Sequence, residues 1–318
     1  MSIGLVKTMI NSGNKYITVI GGANVDITGF PNDRFVLKDS NPGKVKVSLG
    51  GVGRNISENL VKLGMNTKLI SVVGDDLYGK KILDECNAIG IDMSDSLILK
   101  DTSSSVYLSI LDEQRDMNVA ISHMDILDKI NIDYIKSKSY IINNSKLVVV
   151  DTNLSKEVIE YLLTSFEDIN FFLDPVSTEK AKKVKDLIGN CHTIKPNRLE
   201  AEILANMKIN DIDDLKKASE IFLEKGVRKV FISLGKDGVF YNDGKDEGLL
   251  SLDNIDVVNA TGAGDAFMAS IVYSFIKGSG IQESAKYGMA AATLALSHEE
   301  TINPNMSEKN LIKKMEEI

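Results

Sequence analysis

"NATGAGDAF", Asn259 to Phe267, sets three small residues, Gly262, Ala263 and Gly264, directly before one acid, Asp265. Downstream, Met268, Ile271, Val272, Phe275 and Ile276 recur at helical spacing, and Gly278 and Gly280 supply stops. The spacing predicts a helix that begins within this stretch. The first amides of a helix have no partner inside it, and the dipole there favours negative charge. Bare backbone lets an anion approach those amides. Asp265 then has two readings. It caps the helix, or it takes a proton from a hydroxyl while the amides steady a transferring phosphoryl group. No Gly-Lys-Ser/Thr follows, so this is not a Walker loop.

Working outward, short apolar runs recur: "YITVIGG", "TKLISVVG", "KLVVVD", "NFFLD" and "KVFISLG". Several are apolar on consecutive residues, as strands buried on both faces of a parallel sheet are. Amphipathic stretches lie between them. "NISENLVKLG" aligns Ile56, Leu60 and Leu63 and stops at Gly64, "SKEVIEYLLTSF" opens on the N-cap Ser155, and "DIDDLKKASEIFLEKG" aligns Leu215, Ala218 and Phe222. Alternation of this kind predicts an α/β, doubly wound, mostly parallel sheet. Two polar, turn-rich segments with β-like alternation break the rhythm, at about 27–50 and 104–122. They are expected to form a small β-sheet lid, discontinuous in sequence, on a single domain spanning 1–318.

Hydrophobic content of 43% and charged content of 26% suit a soluble globular protein. A formal charge of −8 argues against a nucleic-acid surface. Cys86 and Cys191 are too few for a disulfide framework, and with His123, His192 and His298 they make no metal spacing. The opening "MSIGLVKTMINSGNK" lacks the apolar core of a signal peptide, and no apolar run approaches membrane-spanning length. The expectation is a cytoplasmic protein.

Four further clusters carry candidate chemistry. "LGGVGRN", Leu49 to Asn55, opens a helix; its glycine spacing is wrong for a dinucleotide fingerprint, but Asn55 in the first turn suits sugar hydroxyls. "VIGGANVDITG" ends a strand and then offers Asn24 and Asp26. Asp26 is either an acceptor for sugar hydroxyls or an acid in a turn. In "HTIKPNRLEAEIL", Asn197 and Glu200 are three apart at a helix start. They complement the dipole, or they orient a phosphate and a Mg²⁺-bound water. "VFISLGKDGVF" places Ser233, Gly235 and Gly238 in a tight turn, a nucleotide contact or a plain hairpin. Asp75 and Asp76 in "GDDLYG" read as braces for a turn and helix, and "KAKKVK" as a solvated helix face.

In this order, "VIGGANVDITG", "SLGGVGRN", "VVGDDLYG", "KPNRLEAE", "SLGKDG" and "NATGAGDAF" resemble the ribokinase-like (PfkB) sugar kinases over nearly the whole chain. The resemblance implies a three-layer α/β body with a β lid, and ATP-dependent phosphorylation of a sugar or nucleoside hydroxymethyl group. It implies Asp265 as catalytic base, with Gly262, Ala263 and Gly264 as the anion hole and Thr261 beside them on the nucleotide. It implies Asn197 and Glu200 as the phosphate and magnesium element, and Ser233 and Gly235 as nucleotide contacts. Asn24, Asp26, Gly50, Gly51 and Asn55 fall on sugar-binding positions, and Asn153 where the family often has another sugar contact.

Within the family the stretch Asp39–Gly43 is most similar to pseudouridine kinases. A site that rejects uridine needs an acceptor for the extra N–H of pseudouridine; Asp39, Asn41 and Asp125 are candidates. Ribose, fructose, adenosine and other nucleosides are the nearer alternatives. A non-catalytic nucleoside sensor would need no base and so no Asp265. Asn259 stands where many relatives have Asp, which puts a monovalent cation in doubt, although "LSHEETINP" offers carbonyls. Exposed lid strands invite pairing, so the expected partners are a small-molecule substrate and a second copy of the chain, a homodimer through the lid.

Overall fold

Ile17–Ile20, Val148–Asp151 and Phe171–Asp174 are buried along their whole length, as consecutive apolar residues require. In the computed structural model, which describes residues 15–251 and 257–318, they are three adjacent interior strands of an eight-stranded sheet. The opening segment read for a signal peptide lies, up to residue 14, outside the described residues. The spatial order is Glu247–Leu250, Val239–Asn242, Lys229–Ser233, Thr193–Ile194, Phe171–Asp174, Val148–Asp151, Ile17–Ile20 and Thr67–Ile70. Every pairing from Thr67–Ile70 through Lys229–Ser233 is parallel, and the last two strands turn back antiparallel.

Successive side chains of a strand point to opposite faces. Val148 and Val150 join a core with Leu162, Leu204 and Phe222, whereas Val149 joins Ile56, Leu60, Phe267 and Ile271 on the other side. Helices thus cover both faces, giving the three-layer α/β sheet that the alternation predicts. No helix among the described residues is long and apolar enough to cross a membrane.

A separate sheet of four strands runs in the order Gly43–Gly50, Asn24–Pro31, Val106–Leu111, Met117–His123. The lid strands therefore begin at Asn24, ahead of the expected 27. In register, Val47, Ile27, Leu108 and Ile121 form one row, and Val45, Gly29, Ile110 and Val119 the next. Directly opposed residues share a face, so the lid has an apolar face, with Val45 70% and Ile121 62% exposed.

Two expectations need correction. "TKLISVVG" is not one strand: Thr67–Ile70 belongs to the central sheet, and Val72–Gly74 pairs with Leu97–Leu99. The break falls at Ser71, whose amide donates to Ser96 Oγ instead of a ladder partner. "KAKKVK" is not a wholly solvated face either. Lys180 Nζ donates to Asn153 Oδ1, and Lys183 Nζ to the Leu154 carbonyl at 2.8 Å. Asp76 does brace its turn, accepting from Gly79 N at 2.7 Å and from Ser104 Oγ.

Candidate active site

The carboxyl ends of the parallel strands converge on one edge, where ligands of doubly wound sheets bind. Asp151 and Asp174 end neighbouring strands in register. Asp151 Oδ2 accepts from Gly22 N and Gly53 N, both at 2.8 Å, and Oδ1 from Asn153 N at 2.9 Å. One buried carboxylate thereby ties the turn after the first strand to the helix Val52–Lys62. Asp174 pairs with buried Lys195 at 3.2 Å. Burial works against the lysine's charge, but Asp174, Glu200 and Asp265 more than offset it and hold its pKa above the ordinary value.

The helix predicted from the quoted stretch runs Ala263–Lys277. Gly262 is its N-cap at φ 84°, and a Cβ there would lie 2.1 Å from the Thr301 carbonyl oxygen. Glycine is required on both counts. No side chain caps this end. Ala263, Gly264 and Asp265 therefore present first-turn amides open to an anion. A Cβ on Gly264 would stand 3.4 Å from Lys195 Nζ, so the lysine cation borders the same spot.

Asp265 does not cap the helix. Its Oδ2 accepts from Asn55 Nδ2 at 2.8 Å, across 210 residues of sequence. The residue is partly exposed, but its carboxyl is enclosed. Burial, reinforced by Asp174, pushes it up to about 7; Asn55 and Lys195 oppose the rise, and Asp151 adds to it. A carboxyl poised near neutrality suits a general base.

The residues expected to meet a sugar lie around the start of the helix that carries Asn55. Asn24 pairs with Gly50 in the lid, and its Nδ2 donates to Asp26 Oδ1 at 2.5 Å. A Cβ at Gly50 would lie 2.2 Å from Asp26 Oδ2, so Gly50 leaves room for that carboxylate. Burial raises the pKa of Asp26, against Asn24 and Arg54. Gly51 accepts from Asn55 N at 2.8 Å as the helix begins. Asn153 reaches this side from the Asp151 strand end, its Oδ1 engaged by Lys180.

On the other side, Asn197 and Glu200 form a reciprocal capping box at 2.9 Å in each direction. Their structural reading is thus correct, yet each keeps an atom free of the box: Nδ2 and Oε1. Burial and then Asp174 raise the pKa of Glu200, against Lys195. Ser233 bridges Asn197, its amide bonding to the Pro196 carbonyl at 2.9 Å. Gly235, at φ 64°, faces open space. Thr261 N donates to Asn259 Oδ1 at 2.9 Å. Among the described residues no three His, Cys, Asp or Glu side chains group to hold a metal ion. The free Oε1 of Glu200 is an oxygen of the kind Mg²⁺ prefers.

The base-reading candidates fare less well. Asn41 Oδ1 accepts from Val36 N and its Nδ2 donates to Val36 O and Asp39 O, so its amide is engaged within its own exposed loop, and Asp39 Oδ1 accepts from Ser40 N in that loop. Asp125 is exposed at the start of a 3₁₀ turn, Asp125–Lys129. Sequence reading passed over Asp151, Asp174, Lys195 and Lys180. The first two had a signal, an acid closing a wholly apolar run at a strand's carboxyl end.

Comparison with known proteins agrees with this arrangement. Residues 14–309 match the pfkB family carbohydrate kinase model. The chain is 38% identical over 302 residues to the pseudouridine kinase of Escherichia coli K12, covering 95% of this chain and 96% of that one. It is 45% identical to a Clostridium perfringens protein described as a sugar kinase, with a TM-score of 0.88 and 96% coverage of both chains. The Arabidopsis thaliana ribokinase, complexed with ribose and ATP, shares the fold at TM-score 0.79 and 20% identity, covering 95% of this chain and 98% of that one. A family match across this much of the chain, with the strand ends and helix head in these positions, makes the protein a member of the pfkB family of carbohydrate kinases, a phosphotransferase with an alcohol group as acceptor.

Proposed function

We propose that this kinase transfers the γ-phosphoryl group of ATP to the 5′-hydroxyl of a nucleoside, pseudouridine. The observation that carries the reaction is the Asn55–Asp265 hydrogen bond, which joins the sugar-side cluster to the open amides at the helix head. The identity to a pseudouridine kinase supports the acceptor.

Asn24, Asp26 and Asn55 hold the ribose hydroxyls, with Gly50, Gly51 and Asn153 lining the same side. Asp265 takes the proton of the attacking hydroxyl. The amides of Ala263 and Gly264, together with Lys195, stabilise charge on the migrating phosphoryl oxygens. Thr261, Asn197, Ser233 and Gly235 seat the nucleotide. Glu200 would hold Mg²⁺, which when bound would neutralise phosphate charge. The lid, whose strand Asn24–Pro31 carries Asp26, shields the reaction from water.

Two further features belong to this reading. The apolar lid face suits a second copy of the chain, which would cover Val45, Val47, Val119 and Ile121. Asn259 Nδ2 already donates to the Glu299 carbonyl at 3.0 Å, so an amide occupies a carbonyl that a monovalent cation would use.

Release of ADP with pseudouridine, uridine, adenosine, ribose and fructose, compared side by side, tests the acceptor. The highest kcat/KM is expected with pseudouridine. Better use of any other acceptor overturns the substrate, and no ADP with any of them overturns the nucleoside reading.

A further inference from the structure

Arg54 is the residue of this region for which the reaction has found no use. It stands one position before Asn55 in the first turn of the helix Val52–Lys62, and its side chain is only 9% exposed. Its Nη2 donates to Glu58, one turn on, which is itself nearly buried. Its Nη1 donates to Asn55 Oδ1 at 3.0 Å and lies 3.4 Å from the Leu49 carbonyl. Its Nε is buried with no partner. A charge held this way is costly unless its placement matters.

The consequence lies in the amide of Asn55. A guanidinium has donors and no acceptor. The Asn55 atom it touches must therefore be the oxygen, and the atom facing Asp265 must be the NH₂ group. That orientation follows from the chemistry of Arg54. An NH₂ group donates to an ionised carboxylate and stabilises it. A carbonyl oxygen in its place would repel the ionised form and favour the protonated acid, which cannot accept a proton.

We infer that Arg54 is a positioning residue: clamped by Glu58, it fixes the Asn55 amide with its NH₂ toward Asp265 and so keeps the base in its proton-accepting form. The inference rests on the reading of Asp265 as the base. Asp265 is also faced by Asp174 and Asp151 from the strand ends and by Lys195 from beyond Thr193–Ile194, with the net result that it titrates near neutrality. Two of those three neighbours raise its pKa, so loss of the Asn55 donor leaves Lys195 alone to oppose them. Arg54 also lines a cavity of about 410 Å³, with Glu58, Lys81, Glu85, Ile89 and Thr301, that is partly open to solvent.

The test is the pH profile of kcat for Arg54→Met beside wild type, with Asp265→Asn as control. Removal of a donor to a charged group is expected to move the acid limb up by about one pH unit and lower turnover at pH 7 by about fivefold, with most of the loss regained at pH 9. KM for the acceptor should change less than kcat. Millimolar guanidinium, entering the cavity, should restore part of the turnover of Arg54→Ala. A folded Arg54→Met enzyme with an unshifted limb overturns the inference. So does a pH-independent loss that guanidinium does not repair, which would mark a merely structural arginine. If unpaired Glu58 prevents folding, the double variant Arg54→Met, Glu58→Met removes both charges together, and the same shifted or unshifted limb decides. If Asp265→Asn retains turnover, the base reading itself falls; if it is inactive while Arg54→Met is normal, only this inference falls.

Discussion

Replacing Asp265 with Asn should cost the enzyme its turnover and make it more stable. The carboxyl is pushed up to about 7 from an ordinary 3.8, chiefly by burial. A rise of about three pH units at about 1.36 kcal/mol each gives a ceiling of about 4 kcal/mol. Asp265 is partly exposed, so solvent screening cuts this to about 2 kcal/mol. The sign follows from linkage. A group whose folded-state pKa lies above its unfolded value contributes stability that is complete below the unfolded value and lost as pH rises through the folded one. Wild type therefore bears the cost of ionised Asp265 at pH 8 and little of it near pH 4. The Asn variant never bears it, and its new side chain still offers an oxygen to Asn55 Nδ2. For a domain of this size, about 2 °C per kcal/mol gives a melting temperature about 4 °C above wild type at pH 8, the gap shrinking below about 2 °C at pH 5. Turnover should fall by ~10²–10⁴-fold, as for a lost general base. In wild type the proton-accepting fraction, and kcat with it, should be about one-tenth at pH 6 and about nine-tenths at pH 8. The assays are ADP release and thermal melting of both proteins across this range. Near-normal turnover in the variant removes Asp265 from the chemistry. A melting difference that does not widen with pH refutes the enclosed carboxyl.

Two other outcomes are expected. Potassium should barely change turnover, because the Asn259 amide already serves the Glu299 carbonyl; a severalfold rise in ADP release on adding potassium chloride would refute this. Ile121→Lys should turn a dimer into monomers. A two-fold interface buries this side chain twice, at about 2 kcal/mol each, so association should weaken by about a thousandfold. Light scattering that finds wild type monomeric at assay concentration, or the variant still dimeric, removes the lid face as the interface.

The legible parts of this protein are those set by neighbours in sequence. Gly278 as a helix stop, Ser155 as an N-cap, and the buried runs "VVVD" and "FFLD" are local patterns, and they appear where the spacing put them. The capping box of Asn197 and Glu200 is equally local, which is why its bland reading survived beside the functional one. Reading failed where a side chain's fate depends on a distant element. Lys180 looked like one more lysine on a solvated stretch, because nothing near it in sequence announces Asn153. Asn41 looked available for a base until its own loop engaged both polar atoms of its side chain.

The sequence by itself determined that a helix begins at Gly262 with bare amides, that an acid sits in its first turn, and that the strands around it are buried on both faces. Periodicity and glycine placement encode these, since each depends on contacts within a few residues. Only the tertiary structure decided what that acid does. It meets Asn55 across 210 residues, while Asp151 reaches Gly53 across 98 and Gly22 across 129. A carboxylate's pKa, and the choice between cap and base, come from whichever charges and donors the sheet brings together in a low dielectric, and no local pattern specifies those partners.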